Sequence, residues 1–129
     1  MNKTILLGRV VRDPELRYTK ENGVAVANFS IAVNRRFVKG QEQETDFFKV
    51  VAWGGTGEFV AKHFTQGQPI CIEGRLHQRK WTDKSTGEPR YTVEVIAESV
   101  NFAGFKRDDA QNSDAASDDD FDPTVQDAA

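Results

Sequence analysis

The chain is organised around one stretch of sequence, ICIEGRLHQRKW at residues 70–81, which has the pattern of a β-strand. Side chains of a strand point alternately to its two faces. One face is apolar apart from a glycine, as expected of a core face: Ile70, Ile72, Gly74 and Leu76. The other combines basic-type side chains with an indole: Arg75, His77, Arg79 and Trp81. This stretch alone fits either a solvated face with Trp81 packed under its own hairpin, or a surface for a polyanion with flat groups that stack.

Four more strands and one short helix are predicted around this stretch. The strands cover residues 3–11, with a continuation at 15–18 beyond the Pro14 interruption, then 24–34, 45–53 and 90–102. The helix is expected from Gly57 to about Phe64, with Thr56 as its N-cap and Gly67 ending it. This is the order of an all-β, five-stranded OB barrel, whose helix lies between the third and fourth strands. Another small β barrel with a helical insert is the alternative.

Composition indicates a globular chain of one domain. It has 129 residues, of which 38% are hydrophobic and 29% charged. No apolar run approaches the ~20 residues of a membrane span, and the first residues lack the cleavage site of a signal peptide. Cys71 is the only cysteine, which excludes an intramolecular disulfide and a cysteine-based metal site and fits a reducing cytoplasm.

Charge divides the chain into a basic body and an acidic tail. All 17 Lys and Arg lie within residues 1–107 with 12 of the 20 Asp and Glu, so that part carries +5 and the remainder −8. From Lys106 onward small and polar residues dominate, and such a segment buries too little apolar surface to offset its ordering entropy. We therefore expect a folded domain over residues 1–105 and a disordered acidic tail over residues 106–129. The basic body indicates a polyanionic ligand.

Aromatic and basic side chains form the strongest functional signal. Four rings fall at strand ends or opposite a core face and are predicted to stack on bases: Phe37, Phe47, Trp53 and Trp81. Six cations stand near them in sequence and are predicted to bind phosphates: Arg35, Arg36, Lys49, Arg75, Arg79 and Lys80. Any one of these rings taken alone is more often a core residue, and only the whole set favours a nucleic-acid surface. Because the sequence has no paired acid and base and no metal-ligand cluster, we expect a binding protein without cofactor or metal, not an enzyme.

Several motifs resemble the bacterial single-stranded DNA-binding protein family over residues 1 to about 105. They are EGRLHQRKWTD at 73–83 with Phe47 and Trp53, and the shorter NK at 2–3, LGR at 7–9, DPELRY at 13–18 and VANF at 26–29. The resemblance implies an OB fold, a homotetramer and wrapping of single-stranded DNA. It also implies base stacking at the four rings named above.

The tail is similar to the acidic tail of that family but differs at its end. In the family, acidic residues are followed by a terminal Pro-Phe. Here the corresponding residues are Asp118, Asp119, Asp120 and Phe121, followed by Asp122-Pro123 and six further residues. Through these four residues the resemblance implies docking of replication or repair proteins. The alternative is a tail that only solvates the chain and competes weakly with DNA for the basic body.

The sequence as a whole predicts sequence-tolerant binding and protection of single-stranded DNA in replication, repair and recombination, in the cytoplasm with the nucleoid. An RNA-binding OB domain is one alternative, because stacking and phosphate pairing are the same for either sugar. A structural subunit whose barrel binds a protein partner is the other.

Overall fold

The computed structural model describes residues 1–104, and within them the chain forms six strands and one helix. The bounds are β1 Thr4–Val10, β2 Glu15–Tyr18, β3 Ala25–Asn34, β4 Thr45–Trp53, α1 Gly54–His63, β5 Pro69–Thr82 and β6 Pro89–Phe102. Strands β1 and β2 are the two parts of the interrupted first strand, so the predicted order of five strands and one helix is confirmed. The acidic tail predicted to be disordered lies outside the described residues.

The strands form one sheet that closes on itself. Their order across the sheet is β1-β5-β6-β4-β3-β2, and β1 pairs in addition with β3 through Arg9–Ala32 and Val10–Ile31. All neighbours are antiparallel except β4 and β6, which are parallel. The β1–β3 contact completes the ring of strands, and α1 leads from β4 to β5. An all-β OB barrel, as predicted, is therefore the fold.

The barrel core is built mainly by alternation along the strands, most regularly in β3, whereas β4 buries three consecutive residues from Val50 to Ala52. In β3 every second residue from Ala25 to Ile31 is buried, and Val50 and Val95 fill the same interior from β4 and β6. Phe64, which follows α1, is 1% exposed and closes one end of this core. Burial of these apolar side chains is the main term that stabilises the fold.

The predicted start of the helix was wrong. Helix α1 begins at Gly54, three residues earlier than expected, and its N-cap Trp53 makes no side-chain capping hydrogen bond. Thr56 therefore lies inside the helix and is not its cap. Gly57 is buried, and a Cβ there would lie 2.5 Å from the Ala52 carbonyl oxygen. Gly57 thus serves a close approach of α1 to the sheet, which a turn signal in the sequence does not reveal.

Leu76 was predicted on the core face of β5, and this was also wrong, because 48% of its surface is exposed. The pairing of β5 with β6 shifts register between Glu73 and Gly74, and from Arg75 to Thr82 every residue of β5 is exposed. Beyond this bulge the side chains of β5 are exposed. From the Gln78–Val93 pair onward β6 no longer pairs with β4, and the two strands continue as a two-stranded ribbon. We call residues 75–93 the β5–β6 arm. No helix within residues 1–104 is long and apolar enough to cross a membrane.

Candidate nucleic-acid interface

Four neighbouring strands present one continuous outer face, on which an open groove of about 390 Å³ is formed. We call it the central groove, and its lining residues are Val26, Asn28, Val51, Trp53, Arg75, His77, Arg79, Glu94 and Ile96. Side chains of the same parity on β3, β4, β6 and β5 meet here because paired strands keep their pleats aligned. The groove thus combines three aliphatic side chains with one indole, two guanidinium groups, one imidazole, one amide and one carboxylate.

All four rings predicted to stack on bases are exposed. The exposed fractions are 70% for Phe37, 66% for Phe47, 48% for Trp53 and 45% for Trp81. Within residues 1–104 none of the four rings packs against another aromatic ring. Exposure of so much aromatic surface on a small protein is unusual and typical of a binding surface.

The rings lie along the molecule and do not form a cluster. Trp53 ends β4 in the central groove, and Phe47 is near the start of the same strand, paired with Ala32 of β3. Phe37 belongs to the connection between β3 and β4. Trp81 is on the β5–β6 arm, where its Nε1 donates a hydrogen bond to Thr92 Oγ1 at 3.1 Å. That bond fixes the indole while nearly half of it stays exposed, so Trp81 is not a core indole under its hairpin.

Arg35 differs from the other predicted phosphate ligands because its charge is already paired. Its Nε and Nη2 each donate to Asp46 at 3.0 Å, and Nη1 donates to Glu44. The hydrogen bond from Arg35 lowers the pKa of Asp46, and Asp46 in turn raises the pKa of Arg35. These bonds tie the end of β3 to the start of β4. Phosphate binding by Arg35 remains a prediction, against which its two carboxylates compete.

The remaining predicted phosphate ligands differ in whether they form an ion pair. Arg75 lies 3.3 Å from Glu98, which also receives a hydrogen bond from Lys3 at 3.1 Å. The bond from Lys3, reinforced by Arg75, lowers the pKa of Glu98. Four predicted phosphate ligands are exposed and make no ion pair within residues 1–104: Arg36, Lys49, Arg79 and Lys80.

Lys49 faces a second groove beside the first. It is an open groove of about 670 Å³ that also contains Arg12 and Ser30, and it shares Asn28 with the central groove. The acids Asp13 and Glu15 line this second groove too, so its two cations are balanced by two carboxylates. The structure thus brings together Trp53, Arg75 and Arg79, and it places Lys49 next to them.

Sequence reasoning missed the floor of the central groove. Val26, Asn28 and Ile96 line it, as does Glu94, which is only 5% exposed. The available signal for Glu94 was its place between Val93 and Val95, where an isolated acid interrupts an apolar run. No group of three or more potential metal ligands occurs in the described part of the chain. The predicted partner-binding residues Asp118, Asp119, Asp120 and Phe121 lie outside it.

Comparison with known proteins connects this surface to a family. The model of the single-strand binding protein family matches residues 1–103. Single-stranded DNA-binding protein 2 of Clostridium acetobutylicum is 44% identical over 108 residues, which are 84% of this chain and 80% of that protein. The single-stranded DNA-binding protein of Clostridium tetani is 43% identical, over 79% of this chain and 70% of the relative. That of Halalkalibacterium halodurans is 47% identical, over 79% and 60%. The chain therefore belongs to the single-strand binding protein family.

Proposed function

We propose that this chain binds and protects single-stranded DNA with little sequence preference, as a non-enzymatic protein of replication, repair and recombination. The observation that supports the proposal best is the set of four exposed rings, together with the cations Arg36, Lys49, Arg79 and Lys80, which form no ion pair within residues 1–104. Membership of the single-strand binding protein family supports the same ligand. With this ligand the protein is expected to act in the cytoplasm, at the nucleoid.

Binding is proposed to combine two physical terms. Bases stack on Phe37, Phe47, Trp53 and Trp81, and each stacked base contributes about 1–3 kcal/mol whatever its identity. Phosphates are neutralised by the exposed cations, above all Arg36, Lys49, Arg79 and Lys80, which releases counterions. Arg35 and Arg75 contribute less than their charge suggests, because carboxylates already pair with both. Duplex DNA is a poor ligand on this mechanism because its bases are stacked on one another.

A homotetramer is part of the proposal and has a physical motive in β1. From Thr4 to Gly8 this strand pairs with β5, whereas its pairs with β3 begin at Arg9. One edge of the outer part of β1 is therefore open within the described residues, and Ile5 and Leu7 are 68% and 63% exposed. An open apolar edge is a site at which a second chain can add. Sedimentation of the full chain tests this assembly.

Docking of replication or repair proteins through Asp118, Asp119, Asp120 and Phe121 is the second part of the proposal. It is supported by the acidic and aromatic composition of that segment beside a basic body. Pull-down with the full chain and with the chain truncated after Lys106 tests it. Loss of the same partners in Phe121→Ala would locate the contact.

Titration with poly-dT, followed by tryptophan fluorescence, tests the main proposal. We expect quenching of Trp53 and Trp81 and a weakening of about 1–3 kcal/mol in Trp81→Ala, with the fold intact. RNA and duplex DNA of equal length serve as competitors. Tighter binding of RNA or duplex than of poly-dT would contradict the proposal. So would unfolding of Trp81→Ala together with a Trp81 fluorescence signal, in the unmodified protein, that does not respond to poly-dT.

Salt dependence separates the free cations from the paired ones. Each phosphate neutralised on a single strand contributes about −0.7 to the slope of log affinity against log salt. Arg79→Ala should therefore make the slope shallower by about that amount. Arg35→Ala is the matched control, since the charge it removes is balanced by Asp46 and Glu44. Equal effects of both variants would show that the ion pairs of Arg35 open on binding.

A further inference from the structure

Glu94 lies in the central groove without a partner. It is 5% exposed, and within residues 1–104 its Oε1 has no hydrogen-bond donor. No ion pair joins it to Arg75, His77 or Arg79, which line the same groove. A buried carboxylate oxygen that has lost water and gained no donor, as Glu94 Oε1 has within residues 1–104, is costly. Such a group in a binding groove points to a donor that arrives with the ligand.

Strand register explains why Glu94 is at this place. It pairs with His77 of β5, and the next residue, Val95, pairs with Val50 of β4. Glu94 therefore stands on a central strand, with basic side chains of β5 on one side and β4 on the other. Because it shares a face with Ile96, its carboxylate belongs to the floor of the groove that Trp53 also lines.

Two other carboxylates hold cations, whereas Glu94 forms no ion pair within residues 1–104. Glu98, on the same strand, contacts Lys3 at 3.1 Å and Arg75 at 3.3 Å. Asp46 binds Arg35 through both of its oxygens. Acids that position basic side chains on this surface are thus visibly paired, and Glu94 differs from them.

We propose that Glu94 selects among bases. Its carboxylate accepts a hydrogen bond from the exocyclic amino group of cytosine, adenine or guanine in the central groove, and thymine is disfavoured at this place. A carboxylate can only accept, and an amino group is the donor that such bases present. Thymine offers two carbonyl oxygens around a single N–H, so oxygen lone pairs face the carboxylate. In a single strand these base edges are unpaired and accessible.

The inference rests on the proposed function, because it requires DNA in the central groove. It modifies that function in one respect. Stacking and phosphate pairing are indifferent to base identity, whereas a carboxylate acceptor is not. The chain is then tolerant of sequence overall but selective at the one base that lies over Glu94.

Glu94→Gln tests this selection, with oligo-dC and oligo-dT of equal length titrated at one salt concentration. The amide loses the charge that strengthens the bond to the cytosine amino group and gains N–H donors for the thymine carbonyls. We expect the ratio of dC affinity to dT affinity to fall by about tenfold. Glu98→Gln is the matched control, since it removes the same charge from the same strand and should change both affinities by one factor.

Equal changes of dC and dT affinity in Glu94→Gln would overturn the inference and leave Glu94 as a background negative charge. Glu94→Asp keeps the charge, but its side chain is one methylene shorter, so the carboxylate lies farther from the base. This variant should lower the ratio of dC affinity to dT affinity by a smaller factor. Glu94→Asp therefore tests the inference even if Glu94→Gln does not fold. An unchanged ratio of dC affinity to dT affinity in Glu94→Asp would count against the inference. Failure of the unmodified protein to bind either oligonucleotide would instead contradict the proposed function.

Discussion

Strand β5 passes through two environments, and its two halves differ in whether their side chains are buried. From Pro69 to Gly74 residues alternate between partly exposed and buried, and Ile70 and Ile72 are 0% exposed. From Arg75 to Thr82 the strand continues with the same hydrogen-bonded partner, yet every residue is exposed. Alternation reports only which residues share a face. Burial also requires a second layer over that face, and within the described residues the β5–β6 arm has none.

The same contrast separates stability from binding. The barrel half of β5 supplies core residues, whereas the arm supplies Arg79, Lys80 and Trp81, for which we propose contacts to DNA. Side chains exposed on a ribbon are free to meet a ligand, and the barrel gives the ribbon a rigid base. The two halves should therefore respond differently to the same kind of substitution.

Truncation of one aliphatic side chain in each half is expected to give the largest contrast. Ile72→Ala removes a fully buried side chain and should lower the free energy of unfolding by about 2–5 kcal/mol. Leu76→Ala, four residues along the same strand, should change it by less than about 0.5 kcal/mol. Urea denaturation followed by circular dichroism measures both. A loss for Leu76→Ala close to that for Ile72→Ala would show that a second chain covers the arm.

The junction between the halves is expected to give the next largest effect. A Cβ at Gly74 would lie 2.1 Å from the carbonyl oxygen of Ile96, which belongs to the paired strand β6. Gly74→Ala should therefore push β5 away from β6 and lower the free energy of unfolding by about 1–3 kcal/mol.

The matched control for this substitution is Gly55→Ala, because a Cβ there meets no atom within 4 Å. Since alanine is the better helix former, Gly55→Ala should leave stability unchanged or raise it by up to about 1 kcal/mol. Thermal denaturation of both variants, with poly-dT affinity measured beside it, compares them. Equal stability of the two alanine variants would mean that the β6 backbone shifts at Ile96 to accommodate the added Cβ at little cost.

Much of the barrel could be predicted from the sequence, because apolar residues recur with the period of two that is typical of a strand. The β5 and β6 bounds lie within a residue or so of those predicted, and β3 buries every second residue from Ala25 to Ile31, as a strand with one covered face should. Leu76 was misplaced because parity along one strand contains no information on what covers its face. The start of α1 was missed because the need for Gly57 arises from its distance to Ala52, on another element.

The candidate site was predictable to a smaller extent. Aromatic rings placed opposite a core face were correctly expected to be exposed, since that expectation uses only the strand period. The pairing of Arg35 with Asp46 was not foreseen, because it joins two strands through side chains and depends on their register. Glu94 was missed for the same reason. Its isolation is a property of the groove formed by four strands, which no local pattern contains.

The smallest expected effect is a pH response at the tip of the arm. Asp83 accepts hydrogen bonds from the Ser85 N–H and hydroxyl, each at 2.9 Å, and lies 3.3 Å from Arg90. The backbone bond from Ser85, followed by that from its hydroxyl, lowers the pKa of Asp83 below its ordinary value of 3.8. Because the folded pKa is the lower one, the stabilisation is complete above pH 3.8 and is lost as the pH falls through the folded value.

We therefore expect the order of the tip to change below pH 3.8 while the buried core of the barrel stays folded. The amide signals of Ser85 and Gly87 in an NMR titration should move together with the Asp83 carboxyl, whereas those of Ile72 and Val50 should not. Asp83→Asn should remove the transition at the tip, since the amide has no charge to lose. A transition of Ser85 centred above pH 3.8 would contradict the lowered pKa, and a simultaneous transition of Ile72 would mean that the arm and the barrel unfold as one unit.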